Sequence, residues 1–70
     1  MKNKKVIDLS SPEGNVFWVL EYVVTTLQGH ARESLEHARA IQRYVNLGSY
    51  DAILAEIERE HGDEVEFINK

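Results

Sequence analysis

Apolar residues recur with a helical period over three stretches of the chain, and the first stretch runs from residue 12 to about residue 28. Its apolar face consists of Val16, Leu20, Val23 and Leu27, widened by Phe17 and Val24. Ser11 suits the N-cap, and Pro12 suits the first helical position because its missing N–H costs nothing there. Gly29 follows the last apolar residue and fits the left-handed residue that ends many helices.

The second predicted helix covers residues 31–45. Its apolar stripe consists of Ala31, Leu35, Ala38, Ile41 and Val45. The sequence Asn46-Leu47-Gly48 interrupts the pattern, and Ser49 can cap a third helix. The third helix ends near Gly62, and its inward-facing residues are Tyr50, Ile53, Leu54 and Ile57.

Short runs with a period of two lie at both ends of the chain, at residues 4–9 and 64–68. The sequence therefore predicts one α+β domain over residues 1–70, in the order β-α-α-α-β, with the terminal strands paired beside the helices. The residues predicted to be largely buried are Leu20, Val23, Leu35, Ile41, Leu54, Ile57 and Phe67.

Composition adds an expectation of self-association. The chain has 70 residues and no cysteine, so a disulfide cannot support its small core. A two-stranded sheet has marginal stability by itself, and joining two such sheets in a symmetric homo-oligomer would stabilise both.

The apolar runs are too short for a signal peptide or a membrane span, which favours a cytoplasmic location with no membrane contact. A net charge of −4 disfavours binding to duplex nucleic acid.

Two segments, LSSPEGNVF at 9–17 and SYDAILAEIEREHGDEVEFI at 49–68, resemble a family of short, mostly uncharacterised bacteriophage proteins. The positions that carry the resemblance are Ser11, Gly14, Asn15, Phe17, Ser49, Tyr50, Gly62, Asp63 and Val65. The chain departs from the pattern at Ser11-Pro12, at Tyr50-Asp51, where the family order is reversed, and at His61, where the family has an aromatic residue. The resemblance implies an accessory phage role, such as counter-defence in an infected bacterium, and no established activity.

One candidate ligand site lies at the start of the first helix, where free backbone N–H groups and the helix dipole favour an anion. The candidate ligand-binding residues are Ser11, Gly14, Asn15, Trp18, Arg39 and Arg43. Gly14 would let a phosphate approach the backbone, Asn15 could select the ligand, and guanidinium groups suit phosphate. The alternatives are that the turn only caps and packs, that the arginines form surface ion pairs, and that the aromatic rings belong to the core.

Catalytic and metal chemistry have little support in the sequence. His30, Glu33 and His37 would share a helical face, but a tetrahedral zinc site needs a fourth ligand. No triad context is present, so we expect neither an enzyme nor a cofactor.

Two binding functions remain open: sequestration of a small phosphorylated ligand, such as a nucleotide signal, or inhibition of a host protein through an acidic and aromatic surface. A structural phage component is a third possibility.

Overall fold

The computed structural model describes residues 4–70, which form a single small α+β domain in the predicted order. Its elements are β1 (Lys5–Asp8), a 3-10 turn (Pro12–Gly14), α1 (Val16–Glu21) with a π-helical continuation (Tyr22–Leu27), α2 (Leu35–Val45), α3 (Tyr50–His61) and β2 (Val65–Ile68). In this described part of the chain, no helix combines the length and apolar character needed to cross a membrane.

The two terminal strands pair as predicted, and they run parallel. Lys5 lies opposite Val65 and Ile7 opposite Phe67, so the three helices form the crossover that a parallel pair requires. Ile7, Val65 and Phe67 are buried against the helices, whereas Val6 on the other face of the sheet is 47% exposed. The sheet therefore has one inner face and one outer face, and it contributes to a single core.

The core lies between that inner sheet face and one side of each helix. Its buried side chains are Ile7, Val19, Leu20, Val23, Val24, Tyr44, Ile53, Leu54, Ile57, Val65 and Phe67. Five predicted core residues are confirmed, and they are Leu20, Val23, Leu54, Ile57 and Phe67. Ile41 is only half-buried.

The second helix differs from the prediction in its start and in its orientation. It begins at Leu35, because the Ser34 hydroxyl accepts a hydrogen bond from the His37 N–H at 3.0 Å, and Glu33 just before it has a left-handed φ of 67°. The predicted burial of Leu35 is wrong, since its side chain is 61% exposed. The helix instead turns Tyr44 into the core, because that large ring fills more of the interior.

The first helix also begins later than predicted, at Val16. Asn15 has an extended backbone (ψ 132°), which separates the Pro12–Gly14 turn from the helix. The sequence predicts that Phe17 widens the core face, but its side chain is 65% exposed, so this prediction is wrong. Beyond Glu21 the helix widens to a π-helix that ends at Leu27, and Gly29 two residues later has the left-handed φ of 77° that the sequence indicates.

Candidate functional site: a groove along the first helix

The turn between β1 and α1 is bonded within the chain. The Ser11 hydroxyl donates to the Asp8 carbonyl at 2.6 Å and accepts from the Glu13 N–H at 3.2 Å. The amides of Gly14 and Asn15 donate to the carbonyls of Ser11 and Pro12 at 2.9 and 3.2 Å. The backbone amides that a phosphate site would use are therefore already partnered.

Gly14 and Asn15 both have structural tasks at this turn. A Cβ on Gly14 would lie 2.2 Å from the carbonyl oxygen of Leu9, so only glycine fits this approach of two backbone segments. The Asn15 Oδ1 accepts from the Phe17 N–H at 2.8 Å and so caps α1. Both residues hold the first helix against the end of β1.

An open groove of about 790 Å³ runs along the outer side of the first helix, opposite the segment that leads into α2. The residues that line it are Pro12, Asn15, Phe17, Trp18, Glu21, Tyr22, Thr25, Thr26, Arg32, Glu33 and His37. Of the predicted ligand-binding residues, Asn15 and Trp18 lie in this groove, and Ser11 and Gly14 belong to the turn before it. The groove has a signal in the sequence, because Trp18, Glu21, Tyr22 and Thr25 recur at i, i+3, i+4 and i+7.

Arg39 and Arg43 are not among the residues that line the groove. Arg43 lies over the ring of Tyr44 at 4.4 Å, and its guanidinium contacts Glu60 at 3.1 Å and Glu56 at 3.5 Å on α3. Arg39 is exposed on α2 and makes no ion pair among residues 4–70. The arginine that lines the groove is Arg32, which lies just before the start of α2.

Two stacked aromatic rings form one wall of the groove. The ring centroids of Trp18 and Tyr22 lie 5.7 Å apart with an interplanar angle of 5°. The Lys5 ammonium lies 5.6 Å from the Trp18 centroid and 3.6 Å from a Glu13 carboxylate oxygen. The wall is therefore an aromatic surface that already accepts one cation of this chain.

Two basic side chains contact Glu21 across the groove, whereas Glu33 has no ion pair within residues 4–70. His37 Nε2 donates to Glu21 Oε1 at 2.7 Å, since a carboxylate only accepts, and Arg32 Nε lies 3.2 Å from Glu21 Oε2. Glu21 is thus compensated. Glu33 is exposed and makes no ion pair within the described residues, so the groove keeps an excess of negative charge.

The π-helical turn shapes the edge of the groove. The Gln28 N–H donates to the Val23 carbonyl at 2.9 Å, five residues back, and the Thr25 hydroxyl donates to the Glu21 carbonyl at 2.5 Å. The hydroxyl bonds a carbonyl that the wider turn leaves without its usual i+4 amide partner. Tyr22 and Thr25 therefore face the groove in a helix wider than an α-helix.

Phe17 separates this groove from a second, apolar cleft. The cleft has a volume of about 380 Å³, and its lining consists of Val16, Phe17, Leu20, Val45, Gly48, Ser49, Tyr50 and Ile53. Phe17 lines both hollows, and at 65% exposure it is the most exposed large hydrophobic side chain between residues 4 and 70. An aromatic ring in this position can insert into a pocket of another molecule.

A polar cluster at the other end of the helices joins the first helix to α2 and α3. The buried Tyr44 hydroxyl donates to Glu60 Oε1 at 2.5 Å and accepts from Gln28 Nε2 at 2.8 Å. Burial raises the pKa of Tyr44 to about 12. Burial by itself would raise the pKa of Glu60, but the hydrogen bonds from Tyr44 and Arg43 outweigh it and hold that pKa below its ordinary value. Since these partners satisfy one another, the cluster stabilises the packing of the helices.

Neither a metal site nor a similarity to known proteins assigns a function to the groove. Across residues 4–70, no group of three histidine, cysteine or acidic side chains is placed to hold a metal ion. No protein-family model matches the chain, and no curated protein or solved structure is significantly similar to it.

Proposed function

We propose that this chain is a non-enzymatic binding protein that docks onto another protein through the Phe17 surface, which consists of Phe17, Trp18, Tyr22 and Glu33. The observation that carries this proposal is the 65% exposure of Phe17 between two hollows. Buried aromatic anchors contribute much of the binding energy at protein interfaces. Phe17 lines the groove together with the stacked Trp18 and Tyr22, and contiguous apolar patches mark interaction sites.

The charge of the surface indicates the chemistry of the partner. The whole chain carries a net charge of −4, and Glu33 lacks an ion pair within residues 4–70. Trp18 already lies beside the Lys5 ammonium, so the aromatic wall tolerates positive charge. The partner that fits has an apolar pocket for Phe17, bordered by lysine or arginine side chains that approach Glu33.

Sequestration of a phosphorylated ligand is the weaker of the two binding functions. A phosphate in the groove would meet Glu33, which has no ion pair within residues 4–70, while Arg32 is already engaged by Glu21. The amides of the preceding turn are bonded within the chain. The resemblance to small phage accessory proteins supports a host protein in the cytoplasm of an infected bacterium as the class of partner. We therefore propose the inhibitor function, with ligand sequestration as an outcome that the experiment can reveal.

Comparative affinity capture tests this function with two variants of the tagged chain. Phe17→Ser removes the central ring, and Val6→Ser makes a similar exposed apolar-to-polar change on the outer face of the sheet, where Val6 is 47% exposed. We expect a basic protein that is captured by the wild type and by Val6→Ser and is lost with Phe17→Ser. The captured protein is then purified and titrated against all three chains by calorimetry, with at least a tenfold weaker affinity expected for Phe17→Ser.

Two results would contradict the proposal. The first is equal binding of the purified partner to wild type and Phe17→Ser, provided that circular dichroism shows both to be folded. The second is a small ligand retained by the wild-type protein in native mass spectrometry while no protein is captured, which would favour sequestration.

A further inference from the structure

One side of α2 carries an exposed stripe of three apolar residues and one glutamine. Leu35, Ala38, Gln42 and Val45 are all exposed, while Tyr44 on the opposite side is buried. The stripe residues are spaced by three, four and three positions, which is the a/d spacing of a helix that packs along another helix. The helix therefore has a second packing face that the single chain leaves open.

We propose that α2 packs antiparallel against α2 of a second copy of this chain, around a two-fold axis between Ala38 and Gln42. This proposal does not rest on the partner protein proposed for the Phe17 surface, although Val45 and Phe17 line the same cleft. The symmetry places Leu35 against Val45 of the partner subunit and Ala38 against the partner's Gln42. The small Ala38 side chain leaves space for the longer amide, so the stripe is complementary to itself when the helices are antiparallel.

The exposed area agrees with what a small dimer interface needs. Leu35 is 61% exposed, Val45 is 44% exposed, and Leu47 just after the helix is 40% exposed. With Ala38 and the half-buried Ile41, these side chains offer on the order of 300 Å² of apolar surface, which is the apolar share of an interface of about 500–600 Å² per partner. An interface of this size holds a weak dimer, and it would add to the marginal stability of a chain of 70 residues.

Charge at the edge of the stripe gives the dimer a characteristic response to salt. Arg39 lies next to Ala38 and is exposed, so the two-fold axis brings two Arg39 guanidinium groups towards each other. Added salt screens this repulsion, and kosmotropic salts such as sulfate also strengthen apolar contacts. We expect the dimer to tighten as salt rises, whereas a contact that depends on surface ion pairs would weaken.

Sedimentation velocity on a concentration series tests the dimer with a matched pair of variants. Ala38→Glu places a charge in the centre of the stripe, and Ala55→Glu makes the same change at an exposed position within α3. We expect wild type and Ala55→Glu to sediment at twice the 8.1 kDa chain mass at high micromolar concentration. Ala38→Glu should raise the dimer dissociation constant at least tenfold while its circular dichroism stays that of the folded wild type.

The result that overturns this proposal is a wild-type chain that remains at 8.1 kDa throughout the series. Equal association of Ala38→Glu and Ala55→Glu, or a dimer that weakens as salt rises, also overturns it, because each of these results places the contact elsewhere. If Ala38→Glu fails to fold, Gln42→Glu tests the same stripe, since Gln42 is exposed and both residues are good helix formers.

Discussion

Tyr44→Phe isolates the energetic role of the polar cluster between the helices. The substitution keeps the buried ring but removes the hydroxyl, which donates to Glu60 at 2.5 Å and accepts from Gln28 at 2.8 Å. A hydrogen bond to a charged group contributes about 1.5–3 kcal/mol. Glu60 retains Arg43 at 3.1 Å and Gln28 retains its 3.3 Å contact with His61, so part of the loss is compensated. We expect a net loss of about 1–2 kcal/mol in the free energy of unfolding.

Urea denaturation at neutral pH measures this loss. For a domain with a total stability of about 4–10 kcal/mol and a urea slope near 1 kcal/mol/M, the midpoint should fall by about 1–2 M. Tyr22→Phe is the matched control, because the Tyr22 hydroxyl has no hydrogen bond within the described residues and its ring is half-buried. Equal midpoints for Tyr44→Phe and Tyr22→Phe would refute the proposed energetic role of the cluster.

The stability difference between wild type and Tyr44→Phe should also depend on pH in the alkaline range. The pKa of Tyr44 is raised by burial from 10.0 to about 12, so the neutral, bonded phenol stabilises the fold fully below pH 10. This contribution is lost as the pH rises from 10 through 12, where the folded form ionises. We expect the stability difference between wild type and Tyr44→Phe to shrink over that range, and a constant difference would show that Tyr44 does not ionise with a raised pKa.

Three further predictions concern the turn, the core and acid stability. Gly14→Ala should lower stability by more than about 2 kcal/mol in a thermal melt, because its Cβ would lie 2.2 Å from the Leu9 carbonyl oxygen; an unchanged melting temperature would contradict this contact. Ile57→Ala should lower the free energy of unfolding by about 2–5 kcal/mol and Leu35→Ala by less than about 0.5 kcal/mol, because only Ile57 is buried. Equal urea midpoints for the two variants would contradict this assignment. The pKa of Glu60 is held below 4.5, so its stabilisation is present above pH 4.5 and is lost as the pH falls through the folded value; a flat stability profile from pH 5 to 2 would contradict this.

The order of elements and their ends follow from local signals in the sequence. Ser49 caps α3 by accepting from the Ala52 N–H at 3.1 Å, and Gly48 before it has a φ of 92°. Val65 and Phe67 are buried while Glu66 between them is exposed, as their alternation predicts. These features depend on a few neighbouring residues, so the sequence alone could identify them.

The orientation of α2 depends on contacts between distant residues. The periodic pattern alone directs the apolar stripe that contains Leu35 towards the core. Tyr44 is buried because Gln28 and Glu60, each 16 residues away, bond its hydroxyl, and His37 is held by Glu21, also 16 residues away. A local pattern contains no information about these partners, so it wrongly predicts that Leu35 is buried.

The candidate site could be predicted only in part for the same reason. Asn15 and Trp18 lie on the first helix, and their shared groove follows from helical spacing. The pairing of Arg32 with Glu21 requires the chain to fold back after Gly29. The exposure of Phe17 depends on which face of the first helix packs against the core, whereas helical spacing alone assigns Phe17 to the apolar face.

Photo-crosslinking from position 17 tests the central proposal most directly. A photoreactive phenylalanine analogue is placed at Phe17 and, as a control, at Val6, and cells that naturally express the chain are irradiated. The account predicts an adduct with one other protein from position 17 and none from position 6, with basic residues of that protein near the crosslink. Equal adducts from both positions, or adducts from position 17 only with a second copy of this chain, would contradict a partner protein at the Phe17 surface.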